Sequence, residues 1–179
     1  MVVRSSAGVG DSNVEALYYL AIAAARESLD LTAAYFVPRP AFTEALQDAA
    51  ERGVRVRVLV PGSNIDKPPV WPAGRASYDE LVGSGVEVYE YQPTMLHAKT
   101  MTVDGCWSAV GSANFDNRSF QLNDEATLCV SSEEFAGRLS EQFERDLEVS
   151  ERIAPDRWTS RGPIQRAGEP AMALARREL

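Results

Sequence analysis

A chain of 179 residues with 45% hydrophobic and 25% charged side chains is long enough to bury one substantial core and has the make-up of an ordinary globular domain. Its net charge of −8 argues against nonspecific nucleic-acid binding and against broad adhesion to anionic lipid, since both need clustered Lys and Arg. No apolar run approaches the roughly 18–20 residues of a membrane span; Leu17 to Ala25 comes nearest, and Arg26 and Glu27 end it.

Residues 1–10, small and glycine-containing, read as a linker or the start of an expressed fragment, with no signal-peptide pattern. Asp11 or Ser12 is placed to cap a helix running to about Ser28, with Val14, Leu17, Tyr18, Ala21 and Ala25 on one face. Leu29 to Val37 reads as a strand closed by Pro38 and Pro40. A helix from Ala41 to Arg52 turns Phe42, Ala45, Leu46 and Ala49 inward and stops at Gly53. Val54 to Val60 alternates Val with Arg and reads as a strand at the edge of the core. Pro61 to Trp71, with three prolines and Gly62, reads as a loop, either over the side that carries the candidate site or as a plain connection. A helix follows from Trp71 to Val82 with Tyr78, Leu81 and Val82 buried, then a strand from Val86 to Tyr91.

Next comes a hairpin. Leu96 to Val103 reads as one strand, Asp104-Gly105 as its turn, and Cys106 to Val110 as the returning strand. Glu125 to Val130 is a further strand. Ser132 to Ile153 is a helix whose Phe135, Leu139, Phe143 and Leu147 recur at core spacing. Cys106 and Cys129 fall in apolar strands, so buried thiols are expected rather than a disulfide. This order implies a single α/β domain over residues 11–158, a mixed sheet with helices on both faces. Residues 159–179 form a tail with Pro, Gly and four arginines, expected to be a solvated terminus.

The only histidine, His97, stands two residues before Lys99 and seven before Asp104. In a strand His97 and Lys99 share a face about 6–7 Å apart, so one phosphate can meet an imidazole and an ammonium together. Gly111-Ser112-Ala113-Asn114 follows the second strand, and the hairpin returns it toward His97. Gly111 permits close backbone approach, while Ser112 and Asn114 can donate to phosphate oxygens. Glu125 is placed to accept a hydrogen bond from His97 Nδ1, leaving Nε2 to react. Each residue alone is ordinary. Asp104 is the weakest member, as readily a turn residue as a charged partner for Lys99. One histidine and no cysteine cluster disfavour zinc, so neither metal nor cofactor is expected.

His97, Lys99, Asp104, Gly111, Ser112, Asn114 and Glu125 resemble the His-Lys-Asp signature of the phospholipase D superfamily. The runs from His97 to Gly105 and from Gly111 to Phe120 look most like the C-terminal half of bacterial cardiolipin synthases. So do Tyr35-Phe36-Val37-Pro38, Arg57-Val58-Leu59-Val60-Pro61-Gly62 and Tyr89-Glu90-Tyr91-Gln92-Pro93. The resemblance implies a phospholipase D-like fold and phosphatidyl transfer through a phosphohistidine, with His97, Lys99, Asp104 and Glu125 catalytic and Ser112 and Asn114 binding substrate.

It also implies a second motif, from the other half of a longer chain or from an identical subunit. The closeness of these runs to cardiolipin synthases favours a fragment of a longer protein over a natural one-motif chain that dimerises. Phosphatidylglycerol is the expected phospholipid, with peripheral contact at the cytoplasmic face of a bacterial membrane and no nucleic acid. Which histidine is the nucleophile stays open. Three alternatives stand beside this reading: a phospholipase D-type hydrolase, a dimeric one-motif nuclease, and a half-domain that is inert in isolation.

Overall fold

The computed structural model describes residues 1–7, 10–65, 74–75 and 77–154. The elements in chain order are β1 (Val2–Ser5), α1 (Asn13–Ala24), β2 (Ser28–Ala33), α2 (Pro40–Glu51), β3 (Arg55–Pro61), α3 (Tyr78–Gly83) and β4 (Glu87–Tyr91). They continue with β5 (Lys99–Val103), β6 (Trp107–Gly111), α4 (Asn117–Gln121), β7 (Glu125–Ser131), α5 (Glu133–Glu148) and β8 (Ser150–Arg152). The strands form one mixed sheet in the order β1-β7-β6-β5-β2-β3-β4-β8. β2, β3 and β4 run parallel, joined through α2 and α3, and every other pairing is antiparallel.

Alternation along the central strands divides the chain between two faces. Leu29, Leu31 and Ala33 of β2, Val56, Val58 and Val60 of β3, and Met101 and Val103 of β5 join the main core under α1, α2 and α3. Aromatic rings lock that core: Phe115 stacks on Tyr18 at 5.4 Å, and Phe42 stacks on Phe120 at 5.0 Å. On the other face, Phe143 of α5 packs with Leu59 and Leu96, beside Tyr89, Tyr91 and Leu147. Arg57 faces this layer as well. It pairs with Asp30 directly opposite on β2 and reaches Glu144 of α5 at 2.7 Å. The Val/Arg alternation of β3 therefore belongs to a central strand and not to the core edge, because the inward arginine has a carboxylate partner.

Four other expectations change. Residues 2–5 are an edge strand on β7 rather than part of a linker. They lacked a burial signal because only Ser5 is buried. The expected cap by Asp11 or Ser12 is not made: Asp11 accepts from Ser6 N, and Ser5 Oγ accepts from Val14 N at 2.8 Å instead. The last helix stops at Glu148, and Ser150–Arg152 pairs with β4. Its apolar spacing holds only to Leu147, beyond which Val149 is exposed. Cys106 is exposed because it lies in the hairpin turn, while Cys129 is buried. The helix expected from Trp71 begins within residues outside the described set, as do part of the Pro61–Trp71 loop and the tail.

Asp104 and Gly105 make the β5–β6 turn with φ of 49° and 60°, and Cys106 N donates to Val103 O at 3.2 Å. The Asp104 carboxylate accepts from the backbone N–H groups of Arg26, Glu27 and Ser28. Partial burial opposes its charge, but these three donors outweigh it and hold the carboxyl below its ordinary range. A depressed folded-state pKa adds stability that is present above the unfolded value, near pH 4, and lost as pH falls through the lower folded value. Asp104→Asn is therefore expected to unfold at lower denaturant than wild type at pH 7, with the gap closing toward pH 3. Urea titrations across that range check it, and a gap independent of pH would contradict it.

Candidate functional site

β1, β2 and β6 end, and β5 and β7 begin, on the same side of the sheet. The loops there carry the site. Lys99 opens β5 opposite Ala33, is buried, and donates from Nζ to His97 O at 3.0 Å. That bond ties the ammonium to the segment that presents the imidazole. His97 itself is exposed, two residues ahead of the strand. The strand expected from Leu96 onward begins its ladder only at Lys99, so His97 belongs to the entering loop.

Gly111 ends β6 against β7. A Cβ there would stand 2.6 Å from Ala126 O and 2.6 Å from Thr127 Oγ1. The glycine lets the two backbones approach so that Ser112 meets Glu125. Ser112 Oγ donates to Glu125 Oε2 in a short hydrogen bond and accepts from Ala126 N at 3.1 Å. Asn123 Nδ2 reaches the other oxygen of Glu125 at 3.3 Å. Gly111→Ala is expected to cost about 1–3 kcal/mol through overpacking and to pull Ser112 from Glu125. A urea denaturation curve reads the first effect. A structure of the variant with the Ser112–Glu125 contact unchanged would contradict the second.

Asn114 is buried and fixed from both ends. Its N–H donates to Ser119 Oγ at 3.0 Å, and its Oδ1 accepts from Tyr35 N at 3.2 Å. The anchored acceptor orients the amide and leaves Nδ2 as its donor end. That nitrogen is the end available to an anion. Phe115 N donates to Tyr35 O and Val37 N to Phe115 O, so residues 35–37 and 114–115 are stitched together beyond β2. Asp116 caps α4 by accepting from Ser119 N at 2.7 Å. Near Glu125, burial pushes the Tyr18 phenol up to about 12, with the Glu125 charge adding to the rise.

The fold thus gathers His97, Lys99, Ser112, Asn114 and Glu125 at one end of the sheet. Asp104 stands apart, at the far end of β5, about 20 Å away along the strand. Its three backbone partners give it a structural role there, so direct contact with the site chemistry does not follow. Glu125 differs from expectation too: its carboxylate is held by Ser112 and Asn123 rather than by the His97 ring. Ser112 correspondingly spends its proton on Glu125 and acts as a clamp rather than a ready phosphate ligand. Sequence reasoning gave no individual role to Tyr35, Asp116 or Ser119. Asp116, three residues before Ser119 at a loop-to-helix junction, was the legible capping signal.

Known proteins share both the sequence and the fold. The family described as "Cardiolipin synthase, PLD-like domain" matches residues 18–147. The probable cardiolipin synthase YwiE of Bacillus subtilis is 40% identical over 86% of this chain and 30% of its own length. A cardiolipin synthase of Clostridium perfringens is 34% identical over 97% of this chain and 36% of its own. The chain thus spans about a third of these curated relatives.

Among solved structures, Nuc of Salmonella typhimurium, described as a phospholipase D family member, superposes with a TM-score of 0.74 at 21% identity. It covers 86% of this chain and 96% of that one. Phosphatidylserine synthase of Haemophilus influenzae superposes with a TM-score of 0.75 at 16% identity, over 99% of this chain and 47% of that one. At such identities these two bear on the fold, while the family match and the curated relatives bear on descent. The chain belongs to the cardiolipin synthase family of phospholipase D-like domains.

Proposed function

We propose that this chain supplies one of two half-sites of an enzyme that transfers a phosphatidyl group through a phosphohistidine, as in cardiolipin synthesis from phosphatidylglycerol. The supporting observation is the exposed His97 beside buried Lys99, with Asn114 anchored through its Oδ1 at the same end of the sheet. One histidine attacks phosphorus, forming a P–N bond as the P–O bond to the leaving alcohol breaks. The other histidine protonates that alcohol. It then takes the proton of the acceptor hydroxyl, which attacks phosphorus and releases the first histidine. Lys99 and Asn114 Nδ2 hold the nonbridging oxygens as charge builds on them. With a lipid hydroxyl as acceptor the product is cardiolipin, and with water the same steps make a phospholipase.

Since one imidazole cannot occupy both sides of phosphorus, a second motif is required. The relatives are long enough to carry it in one chain. A second reading, a pair of identical subunits, is favoured by Nuc, nearly all of whose chain is one such domain. The net charge of −8 weighs against nucleic acid as the substrate. The contact with a membrane proposed for the parent protein is peripheral; no described helix is long and apolar enough to cross a bilayer.

The test is turnover of phosphatidylglycerol against protein concentration, with the solution mass measured alongside. The monomeric chain is expected to be nearly inactive, and addition of the complementary half restores activity. Chelators are expected to leave that activity intact, because Lys99 provides the positive charge a divalent ion would supply. Full activity from a proven monomer, or loss in chelator reversed by a divalent ion, would overturn the reading.

A further inference from the structure

We propose that Tyr35 is a positioning residue for His97: its buried ring meets the imidazole edge-on and fixes the rotamer in which the reactive nitrogen is presented. This role rests on His97 as the reacting group and adds the part that orients it. An exposed imidazole on a loop has several staggered rotamers to choose from. Among the described residues no hydrogen bond restrains the ring of His97, and Glu125, the carboxylate best placed in the sequence for that task, is engaged by Ser112 and Asn123. The ring that does meet His97 belongs to Tyr35, with centroids 6.1 Å apart and planes at 77°. Aromatic rings at this separation and angle attract through edge-to-face electrostatics.

Tyr35 suits the task because it is rigid. It is 8% exposed. Its N–H donates to Asn114 Oδ1 and its carbonyl accepts from Phe115 N. Asn114 is held in turn by Ser119. A chain of contacts therefore runs from the cap of α4 through Asn114 and Tyr35 to His97. It couples the residue offering an amide to phosphate with the residue that reacts, so both move as one unit.

The single histidine makes the test direct, because every imidazole signal in an NMR spectrum of this chain belongs to His97. Wild type is expected to show a nuclear Overhauser contact between the two rings and couplings of one His97 χ1 rotamer. Tyr35→Phe is expected to keep both. Tyr35→Leu is expected to give rotamer-averaged couplings while the amide signals of Phe36 and Phe115 hold their positions. In the enzyme assembled with its second half, Tyr35→Leu should lower kcat roughly ten- to a hundredfold with KM little changed, and Tyr35→Phe should stay near wild type. Rotamer averaging in wild type overturns the proposal, as does a Tyr35→Phe enzyme as slow as Tyr35→Leu. If Tyr35→Leu fails to fold, the wild-type and Tyr35→Phe arms still decide. The NMR arms read the orientation of the ring and not the chemistry, so they decide the role of Tyr35 even if the proposed reaction fails.

Discussion

Replacing His97 with alanine is expected to lower turnover of the assembled two-half enzyme by roughly 10³-fold or more, with little change in folding stability. The kinetic loss follows from the chemistry: without the imidazole, one side of phosphorus lacks either its nucleophile or its proton donor. The small stability effect follows from geometry. His97 is exposed and precedes the strand, and Lys99 bonds to its backbone carbonyl, which alanine retains. Lys99→Met is the informative companion. It removes the charge while nearly preserving volume, and should reduce the rate mainly by weakening stabilisation of the nonbridging oxygens. Initial rates of phosphatidyl transfer and urea unfolding of each variant check both statements. A His97→Ala rate within tenfold of wild type would exclude a direct chemical role.

The largest loss of stability is expected from Asp30→Ala. Asp30 and Arg57 are each 6% exposed and face one another across β2 and β3. Arg57 Nε and Nη2 reach the two carboxylate oxygens at 2.7 and 2.9 Å. The Phe143 ring lies 5.0 Å from the guanidinium carbon. Burial works against the arginine's charge, yet Asp30 and then Glu144 outweigh it and hold the guanidinium above its ordinary value.

Truncating Asp30 leaves that cation inside with only Glu144, whose side chain is 56% exposed and offers a screened partner. Removing one partner of a buried pair costs about 3–5 kcal/mol. Replacing both, as Asp30→Leu with Arg57→Met, should recover most of that loss, since an apolar pair needs no compensation. Urea unfolding of the single and double variants measures this. A single-variant cost under about 1 kcal/mol would mean that water reaches Arg57 when Asp30 is gone.

Most elements were legible because their patterns reflect burial on a recognisable period. Phe42, Ala45, Leu46 and Ala49 were readable as the inward face of α2, and all four are buried. The Asp104-Gly105 turn was readable because two successive positive φ angles call for such residues. The strand at residues 2–5 was hidden because an edge strand with one buried side chain has no alternation to read. The end of α5 was overrun because Val149 and Ile153 extend the run of apolar residues past Leu147, although β8 between them is wholly polar. Within the site, residue identity marked His97, Lys99 and Asn114 but not who bonds whom. Ser112 and Glu125 sit 13 residues apart, and their pairing depends on the close approach of β6 and β7 at Gly111. Asp104 lay within the motif's spacing but at the other end of its strand, which linear distance alone does not reveal.

The pairing of β1 with β7 governs the order in which the molecule is completed during synthesis. Met1 bonds to the carbonyl of Cys129, 128 residues further along the chain. At translation rates of about 5–20 residues per second, the first strand waits roughly 6–25 s for its partner to be made. During that interval the apolar Val2 and Val3 have no ladder to join, and the Ser5 hydroxyl that caps α1 through Val14 is not held in place. The parallel core of β2, β3 and β4 needs nothing beyond Tyr91 for its own ladders, so it can assemble while β1 is still without its partner. Closure of β1 onto β7 is then a late event, and a nascent chain stalled before residue 125 leaves its first strand open to pairing with other chains.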